Sequence, residues 1–303
     1  MAKTKREWTQ IYAIYGVDDW QTPLFLFIHA VAFSILSVSF LLYFEPACYF
    51  LQRFILPGPA SARFVAGFTG SVTALSAVCL FFAAASFFYS AVALHWEMSQ
   101  RMVSAVPDWS SVKYALDLGC AGRGVLLNAV ALQLKKSGSS GRVVGLKPTR
   151  SLAENRTIDP TCILRTAGLE GVQKYVTCRP GDPRTLPFSD GYFDVVVSAV
   201  FLHTVGKEFG PRSAAAAAER MKVLVEVVRV LKPGGVAVVW DLVHAPEYAR
   251  RLDEMKMEDV TVSERVTAFL VSSHIVSFRK PRQHFVGSDE VALEWSLGQF
   301  RLT

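Results

Sequence analysis

The hydrophobic pattern of this chain changes once, near residue 105. Before that point apolar positions run almost unbroken. After it they come in short blocks separated by polar, helix-like stretches. Residues 23–44 carry no formal charge and match the roughly 20 residues that a bilayer-crossing helix needs. Residues 64–94 form a second uncharged run, longer than one crossing requires, so one end of it is expected at the interface. Trp20 and Tyr43 flank the first run and Phe64 and Trp96 the second, where amphipathic rings settle at headgroup level. Ala66, Gly70 and Ala74 recur every four residues, a spacing of small side chains that lets two helices pack closely in lipid. Buried core helices would need a cover that the neighbouring sequence does not supply. A cleaved signal peptide would start earlier and be shorter. The pattern predicts a membrane anchor over residues 1–105, with a two-helix transmembrane hairpin at about 23–44 and 66–94 joined by a loop over 45–63.

From Trp109 onward the period shortens to that of strands alternating with helices, the signature of a parallel α/β sheet. Strands are expected at 114–118, 142–146, 175–178, 193–198 and 236–242, and a closing antiparallel pair at 260–262 and 274–279. A helix is expected over 125–136. Another is expected over 213–231, with an apolar stripe through Met221, Leu224, Val228 and Leu231 and the Pro233, Gly234, Gly235 segment ending it. The α/β domain then spans 106–281, leaving 282–303 as a tail whose Phe285, Val291, Leu293, Trp295, Leu297 and Phe300 suit a sheet edge or a lipid surface.

Charge changes the picture modestly. With 32 Lys and Arg against 26 Asp and Glu, the 303-residue chain carries +6, and its pI is about 9.1. The basic residues are scattered and not interleaved with aromatics, which argues against nucleic acid as a partner and suits an anionic membrane face. Lys3, Lys5 and Arg6 precede the first run, Arg101 and Lys113 follow the second, and only Arg53 and Arg63 lie between. The positive-inside rule puts both ends in the cytosol, with the endoplasmic reticulum or another endomembrane as the default location. The five cysteines, Cys48, Cys79, Cys120, Cys162 and Cys178, are odd in number and match no zinc spacing. They read as free thiols, and no metal is expected.

Candidate chemistry gathers at the strand ends. The segment ALDLGCAGRG at 115–124 reads as a buried strand entering a glycine turn and a helix, a nucleotide-binding corner. Two further segments follow, GDPRTLPFSDGYFDVVV at 181–197 and VLKPGGV at 230–236. In this order and spacing the three resemble the class I S-adenosylmethionine-dependent methyltransferases, in particular the type 11 group of small-molecule and lipid enzymes. The resemblance covers roughly residues 114–281. It implies a Rossmann-like seven-stranded methyltransferase sheet with S-adenosyl-L-methionine as cofactor. It also implies that Asp117, Gly119, Cys120, Gly122 and Gly124 lie against the methionine part, and that Asp182 accepts from the adenine amino group with Pro183 shaping the pocket. A plain turn aspartate is the other reading of Asp182.

Methyl transfer from a sulfonium needs alignment above all, and a base only where the acceptor must lose a proton. His203 and His244 lie just past strand ends and are the candidate bases; ordinary loop histidines are the other reading of each. Asp194 is read as bracing its strand. The chain departs from the family pattern twice. The turn carries Ala121 and Arg123 where the family repeats glycine. The second strand ends in Lys147, where an acid normally grips the ribose hydroxyls; an ammonium only donates, and Glu154 or Asp159 would have to replace the acid.

These readings combine into a membrane-anchored S-adenosylmethionine-dependent methyltransferase acting on a small or lipid-like acceptor at a membrane surface. The alternative is a degenerate methyltransferase fold serving as a non-catalytic, membrane-anchored interaction module. A nicotinamide-dependent reductase is disfavoured, because Gly119, Gly122 and Gly124 give GxxGxG where its fingerprint is GxGxxG.

Overall fold

A computed structural model describes residues 7–17, 20–56, 58–120, 122–148, 160–210 and 213–282. Ala121, Glu154 and Asp159, the amino-terminal Lys3, Lys5 and Arg6, and the apolar tail residues beyond Arg282 lie outside the described residues. The chain divides into two compact units. One comprises residues up to His95 with Thr267–Val271; the other comprises Trp96–Val266 with the residues from Ser272 on.

The first unit is helical: α1 Trp8–Tyr15, α2 Gln21–Leu42, α3 Phe44–Phe54 and α4 Pro59–Tyr89, the last continuing as a π turn over Ser90–Leu94. α2 and α4 pack along their lengths. Ser37 Oγ donates to the Gly70 carbonyl at 3.1 Å, and a Cβ on Gly70 would lie 3.2 Å from Phe40 Cβ. The buried positions of α4 are Ala62, Ala66, Thr73, Ala77 and Ala84. They are spaced alternately by four and seven residues, an eleven-residue repeat close to the pitch of a straight helix. The expected four-residue spacing therefore holds only locally: Ala74 is exposed, because a helix of 3.6 residues per turn carries it off the seam. Thr267–Val271 belongs to the same unit, with Ser90 Oγ accepting from the Phe269 amide at 3.0 Å.

Residues 45–63 are not a loop. α3 fills most of that stretch, burying Cys48 while Tyr49 and Phe54 stay exposed, and Arg63 pairs with Glu45 at 2.9 Å. Both α2 and α4 are long and apolar enough to cross a membrane. Only 6% of the apolar window of α2 and 28% of that in the helix containing α4 is buried, whereas a soluble core helix buries most of its apolar face.

From α5 His95–Ser104 onward the chain alternates strand and helix: β1 Tyr114–Leu118, α6 Val125–Lys136, β2 Arg142–Pro148, α7 Pro160–Leu169, β3 Val176–Gly181, β4 Phe193–Ala199, α8 Ala214–Val230, β5 Leu231–Leu242, α9 Ala245–Glu254, β6 Glu258–Val262, β7 Val266–Ala268 and β8 Val271–Arg279, all within the second unit save His95, Thr267, Ala268 and Val271. The sheet order is β3-β2-β1-β4-β5-β8-β6, with the short β7 pairing β8 off this path. Adjacent pairs from β3 through β5 are parallel, while β8 runs antiparallel to both β5 and β6. The expected seven-stranded arrangement thus gains one three-residue strand.

The core is the layer between sheet and helices. Leu116, Leu118, Leu146, Phe193, Val196 and Val239 face Val223, Leu224 and Val227 of α8. α8 begins where Ser213 Oγ accepts from the Ala216 amide at 3.0 Å, a side-chain cap. It ends at Val230, before the expected break, because Leu231 is already extended and pairs with Phe193. Asp194 braces β1, accepting from the Lys113 and Tyr114 amides at 3.0 and 2.9 Å and from Lys232 at 2.6 Å.

Candidate active site

The chain winds from β1 through β2 to β3 on one side and then returns from β3 to lay β4 on the other side of β1, so the sheet reverses its winding between β1 and β4. In open sheets the crevice beyond the strand ends at such a point takes the ligand. The turn after β1 occupies this position. Gly119 has φ +80°, and a Cβ there would lie 2.0 Å from the Phe201 ring, so only glycine lets that ring rest on the turn. Gly122 and Gly124 also have positive φ, and Gly124 leads into α6 with its open amide groups. The Cys120 amide donates to the Leu146 carbonyl at 3.0 Å, tying the turn to the end of β2.

Asp117 is 4% exposed. Burial pushes its carboxyl up to about 7, while a hydrogen bond from Cys120 works in the other direction. In register, Asp117 pairs with Gly145 of β2, and Gly145 with Cys178 of β3, so these three share one face of the pleat. Lys147 lies two residues further along β2, opposite Pro180. These features fit the methionine end of the cofactor: an acid for its ammonium, a glycine cradle and a helix amino-terminus for its carboxylate. The ribose end fits less well, because Lys147 stands where an acceptor is wanted. Beyond β3, Asp182 Oδ1 accepts from the Arg184 amide at 2.9 Å and from Arg184 Nε at 3.3 Å, and Pro183 is buried beside it.

The ends of β4 and β5 bring His203 and Asp241 together. His203 Nδ1 lies 2.6 Å from Asp241 Oδ1, and Tyr248 donates its hydroxyl to Asp241 Oδ2 at 2.7 Å. Asp241 is 1% exposed. With both carboxylate oxygens engaged, it holds the imidazole with Nδ1–H inward and Nε2 available as a base. Burial, followed by the charge of Asp241, raises the Tyr248 phenol far above its usual range, so it remains a donor. His244 instead stands at the N-cap position of α9 without a side-chain cap bond, its Nδ1 3.3 Å from Glu247. Burial and then the Arg220 guanidinium lower its pKa. Val200 and Val243, the residues just past β4 and β5, have φ of 50° and 61°, a strained state for β-branched side chains.

The sequence reading missed Asp241, Tyr248, Phe201 and Cys178 as members of this site. Asp241 had a signal, an acid closing the apolar run that ends at Trp240; the others needed the fold to bring them in.

A family model described as a methyltransferase domain matches residues 116–239. Demethylmenaquinone methyltransferase of Lactobacillus johnsonii is 36% identical over 124 residues, which is 40% of this chain and 41% of that protein. The chain therefore spans less than half the length of that relative. Among solved structures, the [4+2]-cyclase SpnF aligns over 64% of this chain and 83% of its own at 15% identity, TM-score 0.48. The N-methyltransferase NodS of Bradyrhizobium japonicum, solved with S-adenosyl-l-homocysteine, aligns over 62% and 87% at 17% identity, TM-score 0.41.

Proposed function

We propose, from a catalytic unit that belongs to the class I S-adenosylmethionine-dependent methyltransferases, that this chain methylates a small or lipid-like acceptor that loses a proton as it accepts the methyl group. The observation that carries the base is the 2.6 Å pairing of His203 with buried Asp241. The cofactor supplies an electrophilic methyl on a good leaving group. Asp117 holds the ammonium of the methionine moiety, the turn from Gly119 to Gly124 cradles its carboxylate, and Asp182 receives the adenine amine. Phe201, resting on Gly119, keeps the His203 segment against the cofactor turn and excludes water. Nε2 of His203 takes the acceptor proton; Asp241 and Tyr248 position the ring and stabilise the imidazolium. His244 stands aside at the N-cap position of α9.

The acceptor named for the Lactobacillus relative supports a small-molecule substrate. The sparsely buried α2 and α4 support a hairpin that spans the membrane, with both chain ends in the cytosol, where it would hold the catalytic unit beside lipid. A second reading, a non-catalytic interaction module on the same fold, is favoured by Lys147 at the ribose end of β2.

The test uses the full chain in liposomes made from an endomembrane lipid extract, with methyl-labelled S-adenosylmethionine. Label should enter the organic phase with wild type and fall by roughly 100-fold or more in His203→Ala, the usual contribution of a general base. S-adenosylhomocysteine affinity should be unchanged in that variant. Equal transfer by both proteins would remove His203 from the mechanism. Tight cofactor binding without transfer to lipid or to a soluble metabolite pool would favour the interaction module.

A further inference from the structure

The mechanism leaves two thiols unused at the centre of the site. Cys120 sits in the turn after β1 and is 4% exposed. Its sulfur lies 3.0 Å from where a Cβ on Gly145 would be. It therefore occupies the slot that the missing side chain of Gly145 leaves open. Cys178 is the register partner of Gly145 on β3, and adjacent strands lie about 4.8 Å apart. The two thiols therefore lie on one face of the sheet, on either side of that slot. Disulfide formation needs Cα atoms within about 4.4–6.8 Å and facing side chains; because β2 lies between β1 and β3, the turn carrying Cys120 has to move toward β3, over the gap at Gly145, for the bond to close. All five cysteines are free thiols.

We propose that Cys120 and Cys178 are a redox-active pair that a hydroperoxide converts to a disulfide between the turn after β1 and strand β3. Cys178, the more exposed of the two, attacks the peroxide oxygen; its sulfur becomes a sulfenic acid and water or an alcohol leaves. The Cys120 sulfur then attacks the sulfenic sulfur, the S–S bond forms, a second water leaves and the Cys120 proton goes with it. Two thiols are oxidised and one peroxide O–O bond is reduced, and a dithiol reductant reverses the change.

The electrostatics distinguish the two roles. The neighbouring Cys120 thiol lowers the Cys178 pKa, against burial and the charge of Asp117, with a smaller contribution from the Lys147 ammonium. Accepting-side Cys178, burial and the charge of Asp117 hold Cys120 protonated until it is attacked. If the turn binds the cofactor as proposed above, the disulfide draws Cys120 toward β3 and closes the site.

The experiment oxidises the full chain in detergent with hydrogen peroxide, blocks remaining thiols with N-ethylmaleimide and maps disulfides by mass spectrometry. The expected product is a peptide pair joined through Cys120 and Cys178. It should disappear on treatment with dithiothreitol, be absent in Cys178→Ser and persist in Cys162→Ser. Cys178 carried on to a sulfinic acid with Cys120 still reduced, or Cys178 joined to another cysteine, would overturn the proposal. Calorimetry on the same samples separates the two claims. Loss of S-adenosylhomocysteine binding on oxidation, restored by reduction, supports both. A confirmed disulfide with unchanged binding keeps the redox pair and overturns the reading of the turn as the cofactor cradle.

Discussion

Protonation of Asp117 should make cofactor binding depend on pH in a way that a surface carboxylate would not. Burial lifts this carboxyl from 3.8 to about 7, so below that value the ligand-free site is mostly neutral. The ammonium of the incoming ligand favours the carboxylate, and binding therefore releases a proton. At one unit below the folded pKa, ionising the acid first consumes about 1.4 kcal/mol, or roughly tenfold in Kd for each further unit of acidity. The same shift bears on stability. The folded chain holds this proton more tightly than the unfolded chain between about pH 4 and 7, so the contribution of Asp117 to stability is greatest below that window and falls as pH rises through it. Isothermal titration of the full chain with S-adenosylhomocysteine, between about pH 5 and 7 and in buffers of different ionisation enthalpy, reads both affinity and proton release. Affinity should rise with pH and level off near 7, and Asp117→Asn should flatten the profile and weaken binding at its upper end. A flat wild-type profile, or an Asn variant that keeps the slope, would refute the placement of Asp117 beside the cofactor ammonium.

Three other substitutions or insertions probe separate parts of the account. Gly119→Ala places a Cβ on a left-handed backbone, at about 1–2 kcal/mol, and drives it into the Phe201 ring, adding about 1–3 kcal/mol; a thermal midpoint equal to wild type would show that the turn is not built this way. Lys147→Asp should tighten S-adenosylhomocysteine by about 1–3 kcal/mol through charged hydrogen bonds to the ribose, and unchanged affinity would place the ribose elsewhere. Glycosylation acceptors engineered into residues 45–63 should be modified and those at the amino terminus should not; the reverse pattern would invert the proposed topology.

Much of the catalytic fold was legible because strand and helix periods are local. Leu116 and Leu118 alternate with Ala115 and Asp117 in a short block ending at a glycine, and Met221, Leu224 and Val228 mark one face of a helix. What stayed hidden depends on distance. His203 and Asp241 are 38 residues apart and meet only because β4 pairs with β5. Cys120 and Cys178 come to lie on either side of Gly145 only because β2 stands between β1 and β3. In the helical unit, α3 hid within a stretch broken by Glu45, Pro46 and Arg53, which read as a loop although its charges suit an amphipathic helix. The seam of α4 follows an eleven-residue repeat in which Thr73 stands where the four-residue pattern pointed to Ala74, a distinction that needs the partner helix to be in place.

The central claim is that the glycine turn after β1 binds S-adenosylmethionine. Calorimetric titration of the intact, reduced chain in detergent with S-adenosylhomocysteine tests it most directly. The account predicts saturable binding at one site, displaced by S-adenosylmethionine, untouched by nicotinamide dinucleotides and lost in Gly119→Ala. Absence of binding in a folded, reduced wild-type chain would contradict it.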